Sequence, residues 1–170
     1  MKVITLKQAK KIRLSKNFTL DEFLISDTAL RKGINNDMPA KYLKRIQFLV
    51  DTVLQPLRDK FGPIKITSGY RSVALCLAIG SSKHSNHAYG FAVDFKPYNK
   101  KIKYMKILKY INKNLEYKEL IAEYFPHGWI HVAAQDGNNK RVLKLKDKKH
   151  NYKRMTIKQI NNIYSKVKVT

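Results

Sequence analysis

The stretch SNHAYGFAVDF, Ser85 to Phe95, sets His87 seven residues before Asp94 in a run that is mostly small, apolar and aromatic. AYGFAVDF reads as a strand entering a core, with Gly90 between the two polar side chains. An imidazole and a carboxylate carried into such a place need partners, because an unpaired buried polar group costs free energy. Working outward, the next histidine on a strand pattern is His131, in ELIAEYFPHGWIHVAA, Glu119 to Ala134. This segment reads as two strands joined at Phe125–Trp129. Pro126, His127 and Gly128 suit a three-residue loop in which Pro starts a type I turn and Gly takes the left-handed position. That register places Phe125 opposite Trp129 and Glu123 directly opposite His131, both on one face.

The remaining elements surround this pair. FTLDEF carries a capping-box pattern, Thr19 followed by Glu22, and predicts a short helix. Ala40 to Phe61 has Leu43, Ile46, Val50, Val53, Leu54 and Leu57 at helical spacing, which makes it the main core helix, with a kink near Gln55 imposed by Pro56. Ile64 to Ser68 reads as a short strand after Gly62-Pro63, and VALCLAIG fits helix or strand equally. From about Lys100 to Asn114 the spacing predicts an amphipathic helix with a lysine-rich outer face. In the tail, VLKLK reads as a strand and TIKQINNIYSKV as a short helix. These elements make one domain over 1–137 with a basic C-terminal extension over 138–170.

The chain has 170 residues, with 35 Lys and Arg against 12 Asp and Glu, a net charge of +23. Such an excess seeks polyanions, whether nucleic acid, an acidic membrane or an anionic cell wall. Eleven of the basic residues fall after position 137, against one acid, Asp147. The single cysteine, Cys76, excludes an internal disulfide and a paired-thiolate metal site, and reads as a small buried hydrophobe. The start has positive charges but no apolar segment of a signal peptide, and no apolar run is long enough to span a membrane. The expectation is a protein made in the cytoplasm without a standard export signal.

His87, Asp94 and His131 together offer two nitrogens and an oxygen to a first-row metal, with a position left for water. The absence of thiolates favours zinc, which lowers the pKa of water and polarises carbonyls. Spacing alone leaves a hydrogen-bonded structural histidine as the simpler alternative.

SGYRS (Ser68–Ser72), SNHAYGFAVDF and GWIHVA (Gly128–Ala133) resemble the three successive motifs of the zinc D-Ala-D-Ala carboxypeptidase family, SGYRS, SxHxxGxAxD and WxHV. TLDEF, SDTALRKGI and LQPLRDKFGPIKI are similar to the amino-terminal part of its phage and bacterial branch, so the resemblance covers about 18–134. It implies a Hedgehog-like fold of the α+β class, a central antiparallel sheet flanked by helices, with a Zn2+ cofactor and His87, Asp94 and His131 as ligands. Arg71 would hold or polarise the substrate, and Ser85 would bond substrate or support the site. Some relatives carry an acid three residues before the last histidine, where this chain has Gly128. The general base is assigned to Glu123, because the expected hairpin register sets its carboxylate beside His131 and because the resemblance to the phage branch implies a glutamate at the end of the LIxE strand; His127 is the rival. Cys76 stands where the family often has asparagine.

The implied activity is hydrolysis of peptidoglycan stem peptides at a D-amino-acid amide, as a D-Ala-D-Ala carboxypeptidase or an endolysin-type endopeptidase of phage origin. It would act on the cell wall after host lysis or from a virion. The basic tail would bind an anionic wall polymer or nucleic acid. The alternative is a basic polyanion-binding or nucleic-acid-binding viral protein that keeps the fold without the activity.

Overall fold

The computed structural model describes residues 2–125, 127–138 and 140–166. Strand β1 (Val3–Ile4) pairs with β2 (Met38–Pro39) and ties the amino terminus, with the short helices α1 (Leu6–Ala9), α2 (Asp21–Leu24) and α3 (Asp27–Arg31), to the body. Only half of the expected capping box forms, the Glu22 carboxylate accepting from the Thr19 N–H at 2.9 Å. The core helix runs as α4 (Leu43–Leu49), a π-helical stretch over Val50–Leu54, and α5 (Gln55–Phe61). Pro56 sits in the first turn of α5, and the widened turn ends immediately before it. A proline ring crowds the carbonyl four residues back, and an i→i+5 pattern relieves that without a break.

The main sheet has the order β3 (Ile64–Ser68), β4 (Ala92–Pro97), β6 (Trp129–Ala133), β5 (Glu119–Glu123), β7 (Val142–Lys146), β8 (Tyr152–Arg154). All neighbours are antiparallel except β5 and β7, which are parallel. Side chains alternate across each strand. Val93, Phe95, Leu120, Ala122, Ile130, Val132 and Leu143 form the buried face and join one core with Leu49, Val53, Leu54 and Leu57 of the core helix. Ile107, Leu108 and Ile111 of α7 (Tyr104–Asn114) and Ile160 of α8 (Ile157–Lys166) complete that core. The ambiguous VALCLAIG forms the helix α6 (Val73–Ala78), capped by the Ser72 hydroxyl.

Two sequence expectations are corrected. The strand expected over AYGFAVDF begins only at Ala92; His87 lies on a 3-10 turn, Asn86–Tyr89, closed by Gly90 in the left-handed region at φ 71°. The hairpin register also differs: Glu123 faces Trp129, and Ile121 faces His131. The connection is five residues, with the left-handed position at Tyr124 (φ 52°) rather than at glycine. Gly128 serves close approach instead, since a Cβ there would fall 1.7 Å from the Glu123 carbonyl oxygen. Pro126, expected to start the turn, lies outside the described residues, as does Val167 at the end of the expected tail helix.

The basic extension is continuous with the sheet. β7 lies along β5 through five residue pairs, β8 follows β7, and α8 packs on α7. Its few apolar residues make no core of their own; they finish the one already present.

Candidate metal centre and active site

Opposite the core face, the alternate residues of β4 and β6 point to the other side, and the register pairs Asp94 with His131. Ser85 accepts from the His87 N–H at 3.3 Å and caps the turn that swings this imidazole over the same point. The three donor atoms converge: His131 Nδ1 lies 2.8 Å from Asp94 Oδ1, His87 Nε2 is 3.3 Å from the same oxygen, and the two ring nitrogens are 3.2 Å apart. Donors bound tetrahedrally to zinc at about 2.0–2.1 Å lie about 3.3 Å from one another. The geometry thus fits a single small divalent cation, and all three residues are buried.

The surrounding groups orient these donors. His87 Nδ1 is 2.7 Å from the Gly69 carbonyl, which fixes the proton there and leaves the Nε2 lone pair aimed at the centre. Gly69 is required by its neighbours: a Cβ would meet the Phe23 carbonyl oxygen at 2.5 Å. On His131, Nε2 is buried without a hydrogen-bond partner, with the Glu119 carboxylate 3.9 Å away. Arg71, expected to reach toward substrate, donates from Nη2 to Asp94 Oδ2 at 2.5 Å and from Nε to Ser68 Oγ at 2.7 Å. It therefore clamps the Asp94 carboxylate, while also lining an open groove of about 970 Å³ that runs along β3 past Asp94, Lys96 and Trp129.

The peptidase M15 family model matches residues 16–133, which include all three donors and their supports. The chain belongs to the peptidase M15 family. No curated protein matches it. M15 enzymes are zinc peptidases that act on peptidoglycan, and the donor set found here suits that ion. The match stops before β7, β8 and α8.

In this M15 peptidase the metal-free charge state is asymmetric. Burial pushes the His87 imidazole below its usual value, outweighing the pull of Asp94. Burial acts the same way on His131, but the hydrogen bond and charge of Asp94, then the charges of Glu123 and Glu119, raise it instead. Burial would raise Asp94, yet the two imidazoles hold its carboxyl well below the usual carboxylate range. The ligand oxygen is therefore anionic and ready for a cation.

Glu123 is buried on the site face, one diagonal step from His131, with Oε2 accepting from Lys146 Nζ at 3.1 Å. His127 is exposed at the tip of the hairpin connection. Cys76 is buried, and burial pushes its thiol up, away from nucleophilic use. Sequence reasoning missed Glu119, Lys144 and Lys146. Their signal was period two: Glu119-x-Ile121-x-Glu123 and Lys144-x-Lys146 place charge on alternate positions of two strands.

Proposed function

We propose that the protein is a zinc-dependent peptidase that hydrolyses peptidoglycan stem peptides at an amide next to a D-amino acid, as a D-Ala-D-Ala carboxypeptidase or an endolysin-type endopeptidase encoded by a phage. The observation that carries this is the convergence of His87 Nε2, Asp94 Oδ1 and His131 Nδ1 within 3.3 Å of one another beside an open groove.

The ion, when bound, would polarise the scissile carbonyl and activate the attacking water. His87, Asp94 and His131 would hold it, with Gly69 and Arg71 fixing two of the three. Glu123 is the base of this reading: it would accept one proton as water adds to the carbonyl carbon and deliver it to the amine nitrogen as the C–N bond breaks, and the new carboxylic acid then gives up its proton to the freed amine, so the products are a carboxylate and an ammonium. Ser85 supports His87 by accepting from its backbone N–H. His127, fully out in solvent on its loop, is the weaker candidate base. The groove along β3, lined by Ser68, Arg71 and Asp94, is where the peptide would lie.

Action at the cell wall, after host lysis or from a virion, follows from this substrate class. Exposed Lys148, Lys149, Lys153 and Arg154 form a cationic edge suited to an anionic wall polymer. The same edge is what supports the second reading, a polyanion-binding or nucleic-acid-binding protein with an inactive peptidase fold. Zinc content of wild type and His131→Ala, paired with release of D-Ala or peptide from purified peptidoglycan, tests the choice. About one zinc per chain, lost with hydrolysis in the variant, is expected; a protein that binds no zinc and stays inactive after zinc addition refutes the peptidase reading.

A further inference from the structure

Beyond the residues that match the family, β7 lies parallel to β5 with Glu123 paired to Lys146 and Ile121 to Lys144. Both lysines point to the face that carries His131 and Asp94. Lys144 is ion-paired with Glu119, and Lys146 with Glu123 at 3.1 Å. The second pair is the more enclosed, its side chains 15 % and 7 % exposed. The Lys146 ammonium also sits 4.8 Å from the centre of the Tyr152 ring and 5.1 Å from that of Tyr124. The Lys146 carbonyl accepts from the Tyr124 N–H at 2.9 Å, so β7 grips the end of β5 by backbone as well as by side chain.

We propose that Lys146 is a positioning residue for Glu123, so that the C-terminal extension is a working part of the active site. The inference rests on Glu123 acting as the base. A carboxylate this buried turns toward water unless a cation holds it. Lys146 holds Oε2, and among the described residues Oε1 accepts no hydrogen bond and is left for the proton it must take. The cage of Tyr124 and Tyr152 restrains the flexible lysine stem, which fixes the carboxylate by fixing its partner.

The test uses full-length, zinc-loaded wild type, K146M, K146R, E123Q and E123Q/K146M. The readouts are bound zinc, the thermal midpoint and amine release from purified peptidoglycan. K146M is expected to keep its zinc and its half-saturating substrate level while the maximal rate falls roughly 30-fold, a part of the about 10²–10⁴-fold that a general base contributes. K146R should recover most of that rate, and K146M should cost nothing further in an E123Q background. The double variant should also unfold at a higher temperature than K146M, because the neutral amide no longer needs the cation. K146M with an unchanged rate beside an inactive E123Q overturns this inference alone. A fully active E123Q overturns the base assignment and this inference with it. Should wild type itself show no hydrolysis, the preceding functional reading fails, and the thermal cycle decides: midpoints that simply add refute the coupling of Lys146 to Glu123.

Discussion

Arg71→Met separates two roles for one residue, a hold on the substrate and a hold on the metal ligand. The guanidinium lies 2.5 Å from Asp94 Oδ2, with side-chain exposures of 16 % and 6 %. Breaking a fully buried pair by removing one partner costs about 3–5 kcal/mol. Because Arg71 keeps some contact with solvent, and His131 still donates to Oδ1, about 2–3 kcal/mol is the expected loss in the metal-free protein. For a chain of this size that lowers the thermal midpoint by about 5–10 °C. Loss of an outer partner of a ligand typically costs about 10–100-fold in metal affinity, and the same is expected here. With zinc bound, the ion takes over part of the compensation of Asp94, so the stability loss should shrink at saturating zinc. The assays are thermal unfolding with and without zinc and competition against a fluorescent chelator. A variant whose metal-free midpoint and zinc affinity match wild type, but whose turnover is lost, would refute the clamp and return Arg71 to the substrate.

Gly128→Ala places a Cβ 1.7 Å from the Glu123 carbonyl oxygen, so the hairpin must open; the expected destabilisation exceeds about 3 kcal/mol by urea unfolding, and an unchanged midpoint would mean the connection is not five residues. In the metal-free protein, His87 should titrate below and His131 above the ordinary histidine value of about 6.5, as read from imidazole shifts by NMR. The signs follow from linkage: His131, raised, contributes stability that is present below its unfolded pKa and is lost as pH rises through its folded pKa. His87, lowered, lets stability rise with pH up to the unfolded value. The reverse order of titration would contradict the hydrogen bond from His131 to Asp94. Zinc must displace the His131 proton, so its affinity should fall as pH drops below that group's pKa; an affinity flat through that range would count against His131 as a ligand. Replacing Lys148, Lys149 and Lys153 by Gln should reduce salt-sensitive retention on an anionic wall polymer with zinc content unchanged, and undiminished retention would remove the cationic edge from wall adhesion.

The cluster of His87, Asp94 and His131, which could hold a metal ion, was legible as a set of residue types, because ligand chemistry depends on residue type wherever the backbone brings the side chains. Their placement was legible only in part. Gly90 in the left-handed region turns His87 into a 3-10 turn, which the apolar run from Ala88 to Phe95 disguises as strand. The hairpin register failed for a local reason: Pro126-His127-Gly128 matches a common three-residue loop, but Tyr124 takes the left-handed position, and its ring packs 5.0 Å from that of Trp129. Side-chain packing, which no turn rule contains, decides the loop length and moves Glu123 by one pair. The contact of Arg71 with Asp94 was not legible, because it joins β4 to the loop after β3 across 23 positions.

The charge of +23 hid the distinction that matters most for the site. Read along the chain, Lys144, Lys146, Lys148 and Lys149 look like one solvated basic run. On the sheet, the alternation of β7 turns Lys144 and Lys146 toward Glu119 and Glu123, while Lys148 and Lys149 lie past the strand in solvent. One stretch thus supplies two physically different sets of cations. The inward pair is partly buried, aromatic-caged in the case of Lys146, and less screened by salt than the outer lysines. The outward set is screened within about 10 Å at ordinary ionic strength. Catalysis and wall adhesion should therefore respond differently to salt: rising ionic strength releases the outer edge from a polyanion long before it loosens Lys146 from Glu123. The parallel pairing of β5 with β7 makes that division, because it brings a segment outside the family match into register with the strand that carries Glu123.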